Sequence, residues 1–182
     1  MAIAGPEKAA LLALARTAVQ QALDGLPEPE IVPALAAFKE PRAAFVTIRR
    51  LGTGRLRGCR GECPARRPLP ECVRRVAVSG ALDDPRFSPV TRDELPILRF
   101  EISALTNPEP IRPEEVVVGK HGLLLSGEAA AGLLLPQVPV EHGWNRAAFL
   151  DGLCVKAGLP AGSWRRPDLT LSAFEAEVWA EE

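Results

Sequence analysis

The spacing of apolar residues predicts three helices. Apolar positions recur at helical intervals over 6–23, 69–81 and 145–157, so each segment would present one apolar stripe to a core. Asn145 is a favourable residue to cap the start of the third helix, and Gly158 is suited to end it in the left-handed conformation. The sequence therefore predicts three amphipathic helices with clear boundaries on the last one.

Alternating apolar and polar residues predict strands between these helices. The most regular alternation runs over 98–104, and Gly52-Thr53-Gly54 separates two shorter runs that would pair as a hairpin. Helices and hairpins are interleaved without a regular strand–helix–strand rhythm, which predicts an α+β fold with an antiparallel sheet flanked by helices. The predicted strands are 43–50, 55–59, 98–104, 123–125, 132–135 and 174–178.

Length and composition exclude several classes of protein. A chain of 182 residues suffices for one substantial core with room for a minor second lobe. Its net charge of −1 provides no electrostatic footprint for nucleic acid or for an anionic membrane. The first residues do not resemble a signal peptide, and no stretch approaches the roughly 20 apolar residues of a membrane helix. We therefore expect a cytosolic protein whose four cysteines are reduced thiols.

One short segment, residues 56–61, concentrates the candidate chemistry. Its sequence, Leu-Arg-Gly-Cys-Arg-Gly, places one thiol among two guanidiniums and two glycines at or just beyond the end of a predicted strand. The glycines would allow a close backbone approach or a positive φ, and the arginines would lower the pKa of the Cys59 thiol. The alternative is a strand that ends in a glycine turn, with Cys59 buried as a small hydrophobic residue.

The candidate catalytic residues are Cys59 and His121. Cys59 would be the nucleophile, and His121, which lies between glycines at a strand entrance, would be its base. The alternative for His121 is a turn residue that bonds local backbone. Cys63 follows Cys59 at a spacing that begins an iron–sulfur motif, but Arg66 occupies the position of the next ligand, and a zinc knuckle is missing. We therefore expect no metal and no cofactor.

Charged residues near the motif are candidates for ligand binding. Arg86 follows the second helix and could bind a carboxylate or a phosphate, or it could form a salt bridge with Asp83, Asp84 or Glu101. Glu101 is a charge within the most regular strand, a position that usually faces solvent. The candidate ligand-binding residues are Arg57, Gly58, Gly61, Arg86 and Glu101.

Seven separated segments together resemble the AMMECR domain family. Their order and spacing are most similar to the bacterial type called protein A of the AmmeMemoRadiSam system, and the resemblance covers almost the whole chain. The segments are 56–61, Asp84-Pro85-Arg86-Phe87, Glu94-Leu95-Pro96 with Glu101-Ile102-Ser103, Gly119-Lys120-His121-Gly122, 133–138, Gly143-Trp144 and 153–159.

The resemblance implies a single AMMECR-type domain over 1–182 with two lobes. The larger lobe would carry the antiparallel sheet and its helices, a smaller lobe would pack beside it, and segment 56–61 would lie near the cleft between them. The resemblance also implies a Memo-like protein and a radical-SAM enzyme as partners. One departure is Arg60, where the family motif usually has isoleucine. If that side chain faces the core in relatives, this chain requires a local rearrangement or solvent access there.

Three functional interpretations remain open. The leading one is an accessory protein of a Memo-like/radical-SAM system whose cleft recognises a small anionic or peptide ligand through Arg57, Cys59 and Arg86. The second is a thiol enzyme in which Cys59 attacks an electrophile with the assistance of His121. The third is an interaction module whose glycine-rich motif docks a partner protein. None of the three involves nucleic acid or a membrane.

Overall fold

The structure is a computed structural model that describes residues 3–182. The chain divides into two compact units: the first ends at Leu105 and also includes Glu177–Glu182, and the second is Thr106–Ala176. Each unit contains a four-stranded sheet. The fold is therefore α+β, as the sequence predicts.

Four α-helices and eight strands form most of the regular structure of the described residues, together with four short 3-10 helices. The helices are α1 (Gly5–Leu23), α2 (Leu69–Leu82), α3 (Gln137–Glu141) and α4 (Arg146–Lys156). The strands are β1 (Ala44–Arg50), β2 (Leu56–Glu62), β3 (Leu98–Leu105), β4 (Glu109–Pro110), β5 (Gly122–Ser126), β6 (Ala131–Leu134), β7 (Thr170–Phe174) and β8 (Ala176–Ala180). Within residues 3–182, no helix combines the length and the apolar character that crossing a membrane requires.

The first unit is a sheet with one helix-covered face and strand order β2-β1-β3-β8. Val46 and Ile48 of β1 and Phe100 and Ile102 of β3 are buried in one core cluster with the apolar residues of α1 and α2. Full burial of such side chains contributes about 1.5–3 kcal/mol each. This burial determines which residues of each strand face the helices and which face the other way.

The hairpin of β1 and β2 contains a β-bulge. Ile48 pairs with Gly58, but Arg49 pairs with Leu56, so Arg57 is an additional residue in β2. A bulge breaks the strict alternation of side chains along a strand and re-aims its own side chain. As a result, Leu56 and Cys59 share one face of the sheet although they are three residues apart.

The second unit has strand order β4-β7-β5-β6 and is covered by α4. Leu125 of β5 packs in one cluster with Phe149 of α4. The predicted boundaries of α4 are confirmed: Asn145 Oδ1 accepts the backbone N–H of Ala148 at 2.9 Å, and Gly158 has a φ of 75°.

Three elements differ from their predictions. Segment 56–61 does not end a strand but lies inside β2, which continues because Glu62 still pairs with Ala44. The predicted last strand is interrupted at Glu175, and its two halves belong to different sheets as β7 and β8. Helix α3 was not predicted, because five residues are too few to show a helical period.

Candidate functional site

Nine residues form a three-by-three grid on the face of the first sheet that α1 and α2 do not cover. Each residue of β1 on this face lies between one residue of β2 and one of β3, and successive rows are roughly 7 Å apart along a strand. We call this surface the site face. Its rows are Leu56–Arg49–Arg99, Cys59–Thr47–Glu101 and Gly61–Phe45–Ser103.

The middle row combines a thiol, a hydroxyl and a carboxylate. Cys59 Sγ lies 3.4 Å from Thr47 Oγ1, and either atom can donate the hydrogen bond. Glu101 lies opposite Thr47 on the other neighbouring strand. Within residues 3–182 its carboxylate has no hydrogen bond and no ion pair. Both Cys59 and Glu101 are half-buried, so a ligand on this face could contact the thiol and the carboxylate together.

The third row is covered by an aromatic ring. The ring of Phe45 lies on Gly61, where a Cβ would stand 2.1 Å from Phe45 Cδ1. Ser103 is 1% exposed, and its buried Oγ has no partner among the described residues. A buried hydroxyl without a partner is uncommon in a native fold. Ser103 is thus the one residue of this row with unused hydrogen-bonding capacity.

Two side chains hold the backbone of Cys59 at the outer edge of β2. The Cys59 N–H donates to Asp84 Oδ2 at 2.9 Å, and Arg86 Nη2 donates to the Cys59 carbonyl at 3.5 Å. Arg86 also donates through Nε and Nη2 to both carboxylate oxygens of Asp84, at 2.9 and 2.7 Å. The guanidinium holds the pKa of Asp84 well below its usual range. For Arg86 the structure shows the salt bridge with Asp84, while its role in ligand binding stays a prediction.

Arg57 is buried away from the thiol. Its guanidinium donates to both carboxylate oxygens of Glu94, at 3.0 and 2.8 Å, and to the carbonyls of Ser88 and Pro89. Arg57, helped by a backbone N–H and Arg50, lowers the pKa of Glu94 to about 2. The bulge explains why the Arg57 side chain does not lie beside Cys59 on the site face. Arg57 is the additional residue of the bulge, so it does not follow the alternation of side chains along β2. These contacts connect elements of the fold and leave little of Arg57 for a ligand.

The two glycines of the motif permit close approach on opposite faces of the sheet. A Cβ on Gly58 would stand 2.1 Å from the backbone oxygen of Gly80 in α2. Neither Gly58 nor Gly61 has a positive φ, so of the two predicted reasons for these glycines, close approach is the correct one. Gly61 lies on the site face. Gly58 faces α2 instead, and the ligand-binding role predicted for it stays a prediction.

Arg60, the departure from the family motif, is exposed to solvent. Its Nη2 donates to the backbone oxygen of Asp83 at 3.3 Å, and it follows Cys59 on the opposite side of β2. Solvent access, one of the two expected adaptations, is therefore what accommodates this arginine. The sequence predicted that the charge of Arg60 lies near the Cys59 sulfur, but within residues 3–182 the Arg60 guanidinium contacts the Asp83 carbonyl and not the sulfur.

His121 belongs to the second unit. Its Nδ1 accepts the backbone N–H of Val117 at 3.2 Å, which places the proton of the neutral ring on Nε2. This is the local turn contact that the sequence analysis gave as the alternative to a base. The pairing of His121 with Cys59 stays a prediction. His121 also lines a pocket of about 670 Å³ within the second unit, together with Glu115 and Glu175.

The four cysteines are free thiols. Cys72 and Cys154 are fully buried, and burial raises the pKa of Cys72 to about 11. Burial also raises the pKa of the half-buried Cys63. Among residues 3–182, no group of three or more histidine, cysteine, aspartate or glutamate side chains is placed to hold a metal ion.

Sequence reasoning missed six residues of the grid, because it did not predict that β1 pairs with β3. The alternation within each strand did indicate which residues share a side. Thr47 and Arg49 share one side of β1, and Arg99, Glu101 and Ser103 share one side of β3. Only the register between the two strands joins these sides into one surface.

Comparisons with known proteins assign the fold and the family. The chain is 39% identical to a protein of solved structure, the uncharacterised protein PH0010 from Pyrococcus horikoshii, with a TM-score of 0.87 over 94% of this chain and 90% of that one. It is 40% identical to protein MK0488 from Methanopyrus kandleri over 94% of this chain and 87% of that protein. A protein from Aeropyrum pernix is 43% identical over 94% of this chain and 78% of that protein.

The family model AMMECR1 matches residues 12–179. The chain therefore belongs to the AMMECR1 domain family, which confirms the resemblance seen in the sequence. The narrower resemblance to the bacterial AmmeMemoRadiSam type is not supported by these relatives, which are archaeal proteins.

Proposed function

We propose that this chain is a cytosolic ligand-binding protein. It would act as an accessory component of a system that also contains a Memo-like protein and a radical-SAM enzyme, which is the role that the resemblance to the AmmeMemoRadiSam type implies. Its ligand, a small anionic molecule or a peptide, would bind on the site face at Cys59. The observation that carries the ligand-binding part is the middle row, where a half-buried thiol, a hydroxyl and an unpaired carboxylate lie side by side on one sheet. The two partners are those that the resemblance to the AmmeMemoRadiSam type implies.

The backbone that carries the thiol is held in place, which suits a binding site. Asp84 and Arg86 fix both backbone polar groups of Cys59, although β2 has no further strand at that edge. Binding sites on rigid elements, supported by neighbouring hydrogen bonds, hold ligands with little loss of entropy.

Affinity purification of the tagged full chain from its native organism tests the proposal. We expect a Memo-like protein and a radical-SAM enzyme among the bound proteins, and a small molecule or peptide released on denaturation. The matched variant Cys59→Ala should retain the proteins but lose the small molecule or peptide, since it removes only the thiol at which the ligand would bind. Recovery of neither partner and no ligand would contradict the proposal.

A thiol enzyme is the second candidate, favoured by the Cys59–Thr47 contact of 3.4 Å. The Cys59 thiol would add to a doubly bonded carbon of the substrate, the π bond would break as the sulfur–carbon bond forms, and the thiol proton would pass through the Thr47 hydroxyl to the substrate atom that takes up the π electrons. This route uses only residues of the first unit and does not need His121. Mass spectrometry after incubation with substrate candidates would reveal a covalent adduct on Cys59 in the wild type and none in Cys59→Ser.

A further inference from the structure

Arg49 and Arg99 form a like-charged pair across two strands. They lie directly opposite each other in β1 and β3, in the row beside Cys59–Thr47–Glu101. Arg49 is half-buried and Arg99 is exposed. Like charges that face each other across an antiparallel pair destabilise the sheet, so the arrangement calls for a balancing negative charge.

The site face holds one acidic residue, Glu101, which lies one row away and forms no ion pair with either arginine. The recorded side-chain contacts of the two guanidiniums are to backbone carbonyls: Arg49 donates to Gly54, and Arg99 donates to Glu181. Within residues 3–182, neither guanidinium forms an ion pair with an acidic side chain. Arg50 and Arg57 of the same unit differ in this respect, since they share Glu94.

From these contacts we infer that Arg49 and Arg99 form an oxyanion subsite of the site face. Two guanidiniums offer charge-assisted hydrogen bonds to the oxygens of a carboxylate or a phosphate group. The inference rests on the proposed ligand-binding role of this face and specifies the ligand as a small molecule with one such anionic group. A macromolecular polyanion is a poorer fit, because the site face offers two cations and the whole chain has a net charge of −1.

The position of the subsite constrains the ligand further. The arginine row lies one row from Cys59, roughly 7 Å along the strands. The anionic group of the ligand should therefore lie at one end of the grid, on one side of the part that contacts the thiol. At the far side of Cys59, Phe45 offers an aromatic surface. The grid thus predicts a ligand with an anionic end and an apolar end, and with its middle over the thiol.

Thermal unfolding of the full chain with inorganic phosphate or malonate, at constant ionic strength, tests the subsite. We expect either anion to raise the melting temperature of the wild type. Arg49→Gln and Arg99→Gln should weaken the apparent affinity for that anion at least about tenfold. The control Arg75→Gln removes the same charge from an exposed position of α2 and should respond like the wild type. A response to phosphate alone or to malonate alone supports the subsite and identifies the class of ligand.

A second readout separates this role from a structural one. Without added anion at low ionic strength, Arg49→Gln should melt at or above the wild-type temperature, because it relieves the repulsion with Arg99. The inference is overturned if neither anion stabilises the wild type, or if all three variants respond as the wild type does. Affinity purification of partner proteins uses none of these measurements, so failure of the subsite and failure of the proposed function can be told apart.

Discussion

Gly58 of β2 and Gly80 of α2 lie in direct backbone contact: a Cβ on Gly58 would stand 2.1 Å from the oxygen of Gly80. The helix can approach the strand this closely because Gly58 has no side chain at the contact. Three residues further on, Gly61 accepts the ring of Phe45 on the other face of the same strand. The motif therefore uses its glycines to pack both faces of β2 and leaves Cys59 between them.

Gly58→Val should destabilise the fold more than Cys59→Ser does. The valine side chain would collide with backbone that cannot move without displacing α2, and overpacking of this kind costs roughly 1–3 kcal/mol or more. Gly5→Ala is the matched control, because nothing lies within 4 Å of a Cβ at that position. Thermal melts of the three variants measure the difference. Equal melting temperatures for Gly58→Val and Cys59→Ser would show that the close contact does not matter.

Glu94→Gln should remove stability at neutral pH but not in acid. Glu94 has its pKa lowered to about 2 by Arg57, a backbone N–H and Arg50. A lowered folded-state pKa stabilises the native protein above the ordinary carboxyl pKa of about 4.5, and the contribution is lost as the pH falls towards about 2. The pKa difference corresponds to about 3 kcal/mol.

Chemical unfolding at several pH values checks this prediction. The free energy of unfolding of the wild type should exceed that of Glu94→Gln by a constant amount above pH ~5, and the two should converge in acid. Glu30→Gln, at an exposed position, serves as the control. A difference between wild type and Glu94→Gln that does not change with pH would show that Glu94 acts through packing.

Asp84→Ala should loosen β2 at the site. The substitution removes the acceptor of the Cys59 N–H and the partner of Arg86, and a donor left without its acceptor costs about 1–3 kcal/mol. Hydrogen exchange followed by mass spectrometry should show faster exchange in 56–62 and no change in 122–126. Asp83→Ala is the control, since the Asp83 carboxylate has no partner within residues 3–182. Unchanged protection of 56–62 would refute the role given to Asp84.

The fold was more predictable from sequence than the site. The alternation of 98–104 and the capping pattern of α4 depend on neighbouring residues, and both predictions were confirmed. The position of Arg57 depends on a bulge, and a bulge is a mismatch between two strands that neither strand reveals alone. Thr47 was not predicted as a site residue for a similar reason. It lies close to Cys59 and Glu101 because β1 pairs with β2 on one side and with β3 on the other.

The central claim is that Cys59 presents a usable thiol on the site face, and iodoacetamide labelling of the folded protein with peptide mapping tests it most directly. Over roughly pH 6 to 9, we predict that Cys59 alkylates first. Cys63 should follow more slowly, because burial raises its pKa. Cys72 and Cys154 are fully buried and should react only after unfolding. Labelling of Cys59 only after denaturation, or no faster than Cys72, would contradict the account.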